Sequence, residues 1–426
     1  MTGARPRLPP QGLVLAAALC ANAAVQQAAA AAGTADVVSG LGSGALLWLW
    51  PASMAVVALA TLGLASLGDR VGRQALVVLA LAFAALAYLG LQAVAWAGAR
   101  APYVSAALYL LTDLQLIVLP MAVWALANDL FVPAQGRQLF PLIGSGAVVG
   151  TVAGNLLAGA IGLSRADPER LLWLGALPLL AAAAGLWLRR RGQEAPRHAG
   201  AEPLRETVAT FATVPMLPWL VGAFILVQVA MTVVEYHFLG VTRSFLHGRA
   251  AAMTAVLGAT SLAVLALTAL AQWRLSGRLM QWAQTKNAFP VMPVVLLAAA
   301  LVLLGVVGFG GAVAAWGLSS IVLTAWDDPA RKTVQGLLPQ AQRVWAGCVI
   351  DILPYALGTT VASGLLALAQ PGLRAALGPA LLALAAAGAL ALAVRARSLY
   401  DPSLLHWRLS RGKRSTSNLL ESLDLY

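Results

Sequence analysis

The sequence predicts an all-α integral membrane protein with 12 transmembrane helices in two six-helix halves. Composition gives the first reason: 60% of the 426 residues are hydrophobic and only 10% are charged, more apolar surface than a soluble core of this size could hide. The second reason is the long unbroken runs of leucine, alanine and valine, which exclude the alternating pattern of a membrane β-barrel. The third is the longest polar stretch, which begins at Arg189 and divides the apolar runs six and six.

Each predicted span has about 20 apolar residues, the length that crosses a bilayer. In the first half (1–188) the spans cover residues 12–33, 44–66, 75–98, 105–131, 140–163 and 171–188. In the second half (217–394) they cover residues 217–239, 251–273, 289–307, 310–326, 345–369 and 376–394. A linker (189–216) joins the halves and a tail (395–426) follows them. The first run imitates a secretory signal but is too long for a signal core, so it is predicted to be the first span.

Basic residues are distributed unequally between the two sides of this topology. With both termini on one side, that side carries 22 of the 28 Lys and Arg residues and the opposite side carries 6. Because cytoplasmic loops are enriched in basic residues, we expect a bacterial inner-membrane protein with cytoplasmic termini and linker. The net charge of +12 is then a topology signal, so no nucleic-acid partner is expected.

The segment 124–159 is predicted to be two spans joined by a tight polar turn. Its second span carries Gly146, Gly150 and Gly154, which are four residues apart and therefore lie on one helix face. In lipid, where packing drives association, such a stripe lets another helix approach closely. The pattern predicts a close helix–helix contact, which is either ordinary packing or a contact that moves.

A charged turn, LASLGDRVGRQ, lies between the second and third spans. A carboxylate there can be held by neighbouring guanidinium groups and latch a cytoplasmic gate; the alternative is a turn that only obeys the positive-inside rule. The turn resembles the signature of major-facilitator transporters at this position, Gly-x-x-x-Asp-Arg-x-Gly-Arg-Arg, with departures at the first and last positions. The match is carried by Asp69, Arg70, Gly72 and Arg73, and the departures are Ala65 and Gln74.

With the six-plus-six plan, this resemblance implies a major-facilitator-type fold and alternating access. The two halves also repeat a pattern, because ANDLFVPAQGR closes the fourth span and TAWDDPARKTVQG closes the tenth. Both place an acid at the helix end, followed by proline, alanine and a base. Asp129 and Asp328 are therefore predicted to take part in the gate with the charged turn.

The segment 124–159 is also similar to the nucleotide (ATP/ADP) transporter family and its free-living bacterial relatives. The match is carried by Asn128, Asp129, Arg137, Phe140, Ile143, Gly144 and the glycine series, and more weakly by Glu235-Tyr236-His237-Phe238. The resemblance implies a carrier that binds a nucleotide or related solute between its halves. One feature departs from it: the family's exchangers place basic residues in the membrane for the phosphates, where the first span here has only Gln26 and Gln27.

Three acids are predicted to lie in the spans: Asp113 in the fourth, Glu235 near the outer end of the seventh and Asp351 in the eleventh. A charge inside a bilayer costs roughly 2.5–3.5 kcal/mol on insertion scales, so each is a candidate functional group. Because low dielectric drives a carboxylate to bind a proton, all three are candidates for proton coupling. The alternative is a neutral acid that bonds to a neighbouring helix.

Two sets of residues are candidates for binding the solute. An anionic solute needs guanidinium or ammonium partners, and Arg137, Arg331 and Lys332 at helix ends are placed to supply them. A less charged solute could instead be held by amide side chains, which are Gln26, Gln27, Asn128 and Asn155.

Several functions are not indicated by the sequence. It has no nucleotide-hydrolysing Gly-x-x-x-x-Gly-Lys-Ser/Thr loop and no metal-ligand spacing, so neither an enzyme nor a cofactor is expected. The expected partners are the bilayer and a small-molecule solute or lipid. Two alternatives stay open: a flippase for a lipid or lipid-linked precursor, and a non-transporting membrane subunit whose tail or linker docks a soluble protein.

Overall fold

A computed structural model of the chain describes residues 9–98, 101–131, 133–164, 172–189, 214–272, 274, 286–335 and 347–403. Across these ranges the regular secondary structure is helical. Eleven of the described helices are long and apolar enough to cross a membrane, and a shorter apolar helix covers Leu172–Leu188. The protein is therefore an all-α integral membrane protein, as the sequence predicts. The linker residues 190–213 and the tail from 404 onward lie outside the described residues.

Six helices are described before the linker: α1 (Pro10–Gly40), α2 (Leu46–Val71), α3 (Arg73–Trp96), α4 (Ala101–Leu130), α5 (Pro133–Ser164) and α6 (Leu172–Leu188). The first helix runs past the predicted end at residue 33, because Ala35, Val37 and Val38 are buried against its neighbours. Only Gly72 separates α2 from α3, and its φ is +81°. Glycine adopts this backbone conformation without the penalty of other residues, so the turn itself requires the glycine of the signature.

Among the described residues after the linker there are seven helices: α7 (Leu217–Phe245), α8 (Ala250–Ala271), α9 (Val291–Gly305), α10 (Phe309–Val322), α11 (Asp328–Gln335), α12 (Leu353–Leu368) and α13 (Pro371–Ser398). A π-helical turn, Leu323–Asp327, joins α10 to α11, so the tenth span continues past its predicted end at residue 326. A second π-helical turn, Cys348–Ile352, leads into α12. The seventh span continues past residue 239 to Phe245, which places Glu235 in the interior of α7 rather than near its end.

The described helices form two compact units. The first contains α1–α6 together with Leu239–Leu265, which is the end of α7 and most of α8. The second contains the rest of α7 and α8 with α9–α13. The division of the chain into halves at residues 189–216 stays a prediction from the sequence.

Each unit has its own hydrophobic core. In the first unit α1 is central, since it packs against α4, α5 and α6. The buried side chains of this core include Leu15, Leu81, Leu126 and Leu179, one from each of four helices. In the second unit α9 packs against α10 and α13, and Phe224, Phe289 and Trp326 are buried together near the N-terminal end of α7.

Candidate functional site

The glycine stripe of α5 lies directly against the backbone of α1. A Cβ atom added to Gly146 would lie 2.2 Å from the Ala16 carbonyl oxygen, and one added to Gly150 would lie 2.2 Å from that of Cys20. At Gly154 the corresponding distance to the Ala24 carbonyl oxygen is 2.4 Å. Real Cβ atoms do not come this close to backbone, so the predicted close helix contact is confirmed and its partner is α1.

A second close contact joins α5 to α8 within the first unit. A Cβ added to Gly162 would lie 2.6 Å from the Ala251 carbonyl oxygen and from the Ala255 nitrogen. From the other helix, a Cβ on Gly258 would lie 2.8 Å from the Asn155 carbonyl oxygen. Small residues therefore line α5 on two faces and allow both neighbours to approach its backbone.

The charged turn is tied to the end of α4. The Arg73 guanidinium donates to Asp129 through Nη1, which lies 2.5 Å from Oδ1, and also to the Ala125 carbonyl oxygen at 3.4 Å. Two of the predicted gating residues are thus brought together. The side chains of Asp69 and Arg70, and that of the predicted solute ligand Arg137, lie outside the described residues.

Asp113 lies in a buried polar cluster between α4 and α2. Its side chain is 9% exposed and lies beside the side chain of Ser53 on α2. One turn earlier on α4, the Tyr109 hydroxyl accepts a 2.7 Å bond from the Trp50 indole nitrogen. The Ser53 hydroxyl also donates to the Trp50 carbonyl oxygen at 3.0 Å. Asp113 therefore lies inside the span that the sequence predicts, and its polar neighbours are hydroxyl-bearing side chains.

A second polar network, which the sequence analysis did not single out, joins α1, α3 and α4. The Asn22 amide donates to the Gln115 backbone oxygen at 3.2 Å, and the Gln115 amide donates to Asn22 Oδ1 at 3.3 Å. The Tyr88 hydroxyl donates to Gln115 Oε1 at 2.7 Å. All three side chains are buried. The available signal was a polar residue inside an apolar run, the same signal that pointed to Gln26.

The amide residues predicted to bind a solute lie in different environments. Gln26 and Asn155 are buried, and Asn155 donates to the Thr151 carbonyl oxygen of its own helix at 2.9 Å. Gln27 lies at the contact of α1 with α5, where a Cβ atom added to Gly154 would lie 2.8 Å from the Cβ atom of Gln27. Asn128 is exposed beside Asp129. The structure does not gather these four side chains into one described cluster.

In the second unit Arg331 is held by a buried acid and an aromatic ring. Its Nε donates to Asp327 Oδ2 at 2.6 Å, and both side chains are less than 10% exposed. Its guanidinium carbon lies 4.1 Å from the centroid of the Phe224 ring. The guanidinium of Arg331 therefore has both an acidic partner and an aromatic partner within the second unit. Asp327 was noted in the sequence only as part of the repeated pattern, not as the partner of Arg331.

Lys332, one residue further, faces the other π-helical turn. Its ammonium donates to Asp351 Oδ2, and the two side chains are 60% and 32% exposed. Asp351 thus lies near the beginning of the eleventh span and is ion-paired there. Asp328, a predicted gating residue, is exposed at the start of α11 in the field of Arg331 and Lys332.

The remaining candidate, Glu235, lies part-buried in α7 and takes part in interactions with its surroundings. Another polar cluster lies nearer the start of the same helix: Gln228 donates to the Thr359 hydroxyl at 3.2 Å, and the Thr232 hydroxyl donates to the same oxygen at 3.4 Å. Among the residues that the structure describes, no group of three or more His, Cys, Asp or Glu side chains could hold a metal ion.

The described helices and their similarity to solved transporters show a membrane protein of the major-facilitator-type fold. The chain is similar to a mutant form of the nucleoside transporter NupG, with 12% identity, 92% of this chain and 100% of that chain covered, and a TM-score of 0.67.

It is also similar to the POT family transporter PepTSo, at 11% identity, 94% and 99% coverage and a TM-score of 0.66. A bacterial homologue of the human lysosomal transporter Spinster matches at 16% identity, 95% and 97% coverage and a TM-score of 0.61. At these identities the similarity concerns the fold, and it does not distinguish the nucleotide-transporter branch. No protein-family model matches the sequence, and no curated protein matches it.

Proposed function

We propose that this protein is a secondary transporter that moves a small organic solute across the bacterial inner membrane by alternating access, with both termini in the cytoplasm. The observation that supports this most strongly is the extent of the fold similarity, since 92% of this chain aligns with 100% of a nucleoside transporter. A fold hosts many functions, so the chemistry has to be argued from the residues.

Asp113 supplies the proton coupling in this proposal. It lies in the middle of α4, it is buried, and the neighbouring side chain of Ser53 is uncharged. A carboxyl group inside a span can bind or release a proton when the polarity of its surroundings changes. Glu235 and Asp351 are weaker candidates, because the first is only part-buried and the second is paired with Lys332.

The ion pairs at helix ends supply the gate. Arg73 joins the start of α3 to the end of α4, and Lys332 joins α11 to the π-helical turn before α12. Both pairs are partly solvated, so breaking them costs far less than breaking a buried pair. Contacts of this kind can open and close during a transport cycle.

The solute in this proposal carries negative charge and engages Lys332 in place of Asp351. Lys332 is exposed and its acid partner is displaceable, whereas the guanidinium of Arg331 is already held by Asp327 and Phe224. Nucleotides and other phosphorylated metabolites are the first class to examine. Whether Arg137 contributes stays a prediction, as does a soluble partner for the tail.

The first experiment is a thermal-shift screen of the purified protein against nucleosides, nucleotides, sugar phosphates, dipeptides and lipids, since a ligand of the native state raises its stability. We expect stabilisation by an anionic solute, weaker in Lys332→Gln and stronger in Asp351→Asn, which frees the lysine. Lys286→Gln is the matched control, because Lys286 is ion-paired to Asp401 in the same unit. Stabilisation by lipids alone would replace this proposal with the flippase alternative.

Uptake of the ligand found is then measured in proteoliposomes with and without a pH gradient. We expect a gradient to drive accumulation by the parent protein and to have no effect on Asp113→Asn, which still equilibrates the solute. A gradient that drives the parent and the variant equally would remove Asp113 from the proposal.

A further inference from the structure

Arg243 is a basic residue in the last turn of α7, and it takes part in none of the ion pairs between described residues. Its Nε atom is buried, and no described residue supplies it with a hydrogen-bond acceptor. A guanidinium group has five N–H donors and no acceptor, and buried donors in proteins are nearly always paired. A ligand that brings oxygen acceptors would therefore satisfy this side chain.

The Arg243 guanidinium lies against the turn that joins α1 to α2. A Cβ atom added to Gly42 would lie 3.8 Å from Arg243 Nη1 and 3.9 Å from Arg243 Cζ. One turn earlier on α7, a Cβ atom added to Gly240 would lie 3.8 Å from the Ser43 hydroxyl oxygen. Gly42 has a φ of +87°, a conformation that residues with a side chain rarely adopt, so the space beside the guanidinium stays free of a side chain.

The same turn is the beginning of a helical segment. A 3₁₀ turn starts at Ser43 and continues directly into the span of α2. Its first backbone bond is donated by the Ala45 nitrogen to the Gly42 carbonyl oxygen at 3.1 Å. The N–H groups of Ser43 and Gly44 come before this bond and lack an acceptor within the helix. Such N–H groups carry partial positive charge and bind anions, so the turn adds backbone donors to the guanidinium.

A structural role at the end of α7 does not account for the buried Nε. The helix dipole favours a cation there, and a basic side chain can bond to the last carbonyl groups. In α7 these carbonyl groups are used by the backbone, since the Gly248 nitrogen donates to the Arg243 carbonyl oxygen at 2.9 Å. Asp36, the acid of α1, accepts from the Ser105 hydroxyl of α4 at 3.3 Å.

We infer that the Arg243 guanidinium, the Ser43 hydroxyl and the first N–H groups of the α1–α2 turn form a binding site for a phosphate group. Each of these protein groups donates a hydrogen bond, and the oxygen atoms of a phosphate accept them. The positive charge of Arg243 balances part of the negative charge of the phosphate. The inference does not depend on the proposed function, because Lys332 belongs to the second unit and this site belongs to the first.

Exposed apolar side chains adjoin the site. Leu41, directly before Gly42, is 45% exposed, and Phe245, two residues after Arg243, is 58% exposed. Trp48, five residues after Ser43, is 74% exposed. Tryptophan is enriched where a membrane protein meets the lipid headgroups. A phosphate at this position can therefore belong to a lipid headgroup or to a dissolved solute.

Inorganic phosphate is the probe, because it carries the chemistry that both sources share. Thermal unfolding of the full-length protein in detergent is followed as phosphate is added, against sodium chloride of equal ionic strength. A ligand of the native state raises the unfolding temperature, and its concentration dependence gives a dissociation constant. In Arg243→Gln we expect this constant to rise about tenfold or more, because a charge-assisted bond is lost.

Two further measurements separate binding from folding. Without phosphate, Arg243→Gln should unfold at the parental temperature, because the substitution removes a charge that has no acidic partner among the described residues. Arg243→Lys keeps the charge and serves if Arg243→Gln does not fold. Its dissociation constant should lie above that of the parent, since an ammonium group lacks the planar fork of a guanidinium.

Arg249→Gln is the matched control. Arg249 lies in the same connection between α7 and α8, it is exposed, and its Nε already donates to the Leu246 carbonyl oxygen at 3.3 Å. We expect this variant to bind phosphate as the parent does. Equal losses in Arg243→Gln and Arg249→Gln would overturn the inference, because binding would then follow net charge. A loss in Lys332→Gln with none in Arg243→Gln would assign the ion to Lys332 and also overturn it.

Native mass spectrometry distinguishes the two sources of phosphate. If the site holds a lipid headgroup, Arg243→Gln should retain less added phosphatidylglycerol than the parent, and the lipid should compete with inorganic phosphate. If both proteins retain the same amount of lipid while phosphate binding depends on Arg243, the site holds a dissolved phosphate compound. Unchanged binding of both phosphate and lipid in Arg243→Gln would overturn the inference.

Discussion

Arg73, the first residue of α3, reaches the end of α4 and donates from Nη1 to Asp129 Oδ1 at 2.5 Å. The same nitrogen donates to the Ala125 carbonyl oxygen at 3.4 Å, so one guanidinium contacts both an acid and the backbone near the end of α4. Cations are favourable at a helix C-terminus, where the last carbonyl groups lack intrahelical donors. The arginine of the charged turn therefore has a defined partner on a neighbouring helix.

Neutralising this pair is expected to alter gating more than folding. Arg73 is 44% exposed, so the coupling in a double-mutant cycle of Arg73→Gln and Asp129→Asn should be about 0.2–1 kcal/mol. Accessibility of engineered cysteines to membrane-impermeant reagents, measured on both faces, should change in Asp129→Asn. If accessibility is unchanged on both faces, the turn serves only as a topology signal.

Adding one methyl group to the α5 stripe is expected to destabilise the first unit. Gly150→Ala places a Cβ 2.2 Å from the Cys20 carbonyl oxygen, and the two helices must separate to accept it. Overpacking of this kind costs about 1–3 kcal/mol, so the unfolding temperature should fall clearly.

Gly159→Ala is the matched substitution on the same helix, because a Cβ there meets nothing within 4 Å. It should unfold at the parental temperature or slightly above, since alanine favours helix more than glycine does. Equal unfolding temperatures for the two variants would contradict the close contact of α5 with α1.

The Asp327–Arg331 pair is expected to behave as a buried unit. Asp327→Asn leaves a guanidinium charge without its acid, and breaking such a pair costs about 3–5 kcal/mol. The double substitution Asp327→Leu with Arg331→Met should cost less than either single change, because no buried charge is left behind and the methionine still covers Phe224. Chemical denaturation of the parent, Asp327→Leu, Arg331→Met and the double variant measures this.

Lys286→Ala serves as the control for that series, since its pair with Asp401 is partly solvated and should contribute no more than about 1 kcal/mol. If the double substitution is as damaging as Asp327→Leu and Arg331→Met added together, the two residues act independently rather than as a pair.

The topology gives a prediction that needs no ligand. Because 22 of the 28 basic residues fall on the side of the termini and linker, that side should be cytoplasmic. Reporter fusions at His198 in the linker and at Gly42, between α1 and α2, should then give signals of opposite compartments. The same compartment at both positions would exclude the twelve-span arrangement.

The sequence was sufficient for the features that depend on local pattern. Spans follow from the length of apolar runs, and the stripe of Gly146, Gly150 and Gly154 follows from the spacing of residues on a helix face. The glycine at position 72 was readable as part of a signature, and its φ of +81° shows why that residue is needed. The bounds were less accurate, since α1 and α7 continue past their predicted ends to Gly40 and Phe245.

The hydrogen-bond partners of polar residues in the spans could not be predicted from local sequence pattern. A polar residue inside a span needs a hydrogen-bond partner, because lipid supplies none. The sequence does not indicate which of several neighbouring helices provides that partner. Asn22 and Gln115 are 93 positions apart in the sequence and bond to each other in both directions. Ser53, an ordinary serine in an apolar run, lies beside Asp113 only because α2 packs against α4.

The sequence by itself determined that this protein spans the membrane many times, and it identified the charged turn and the acids within the spans, because burial in a bilayer constrains composition residue by residue. The tertiary structure decided which charges are already satisfied. Two adjacent bases, Arg331 and Lys332, look equivalent in the sequence, yet one is buried against Asp327 and the other is exposed beside Asp351. Successive residues on a helix point about 100° apart, so only the packing around α11 could assign one to the core and the other to the surface.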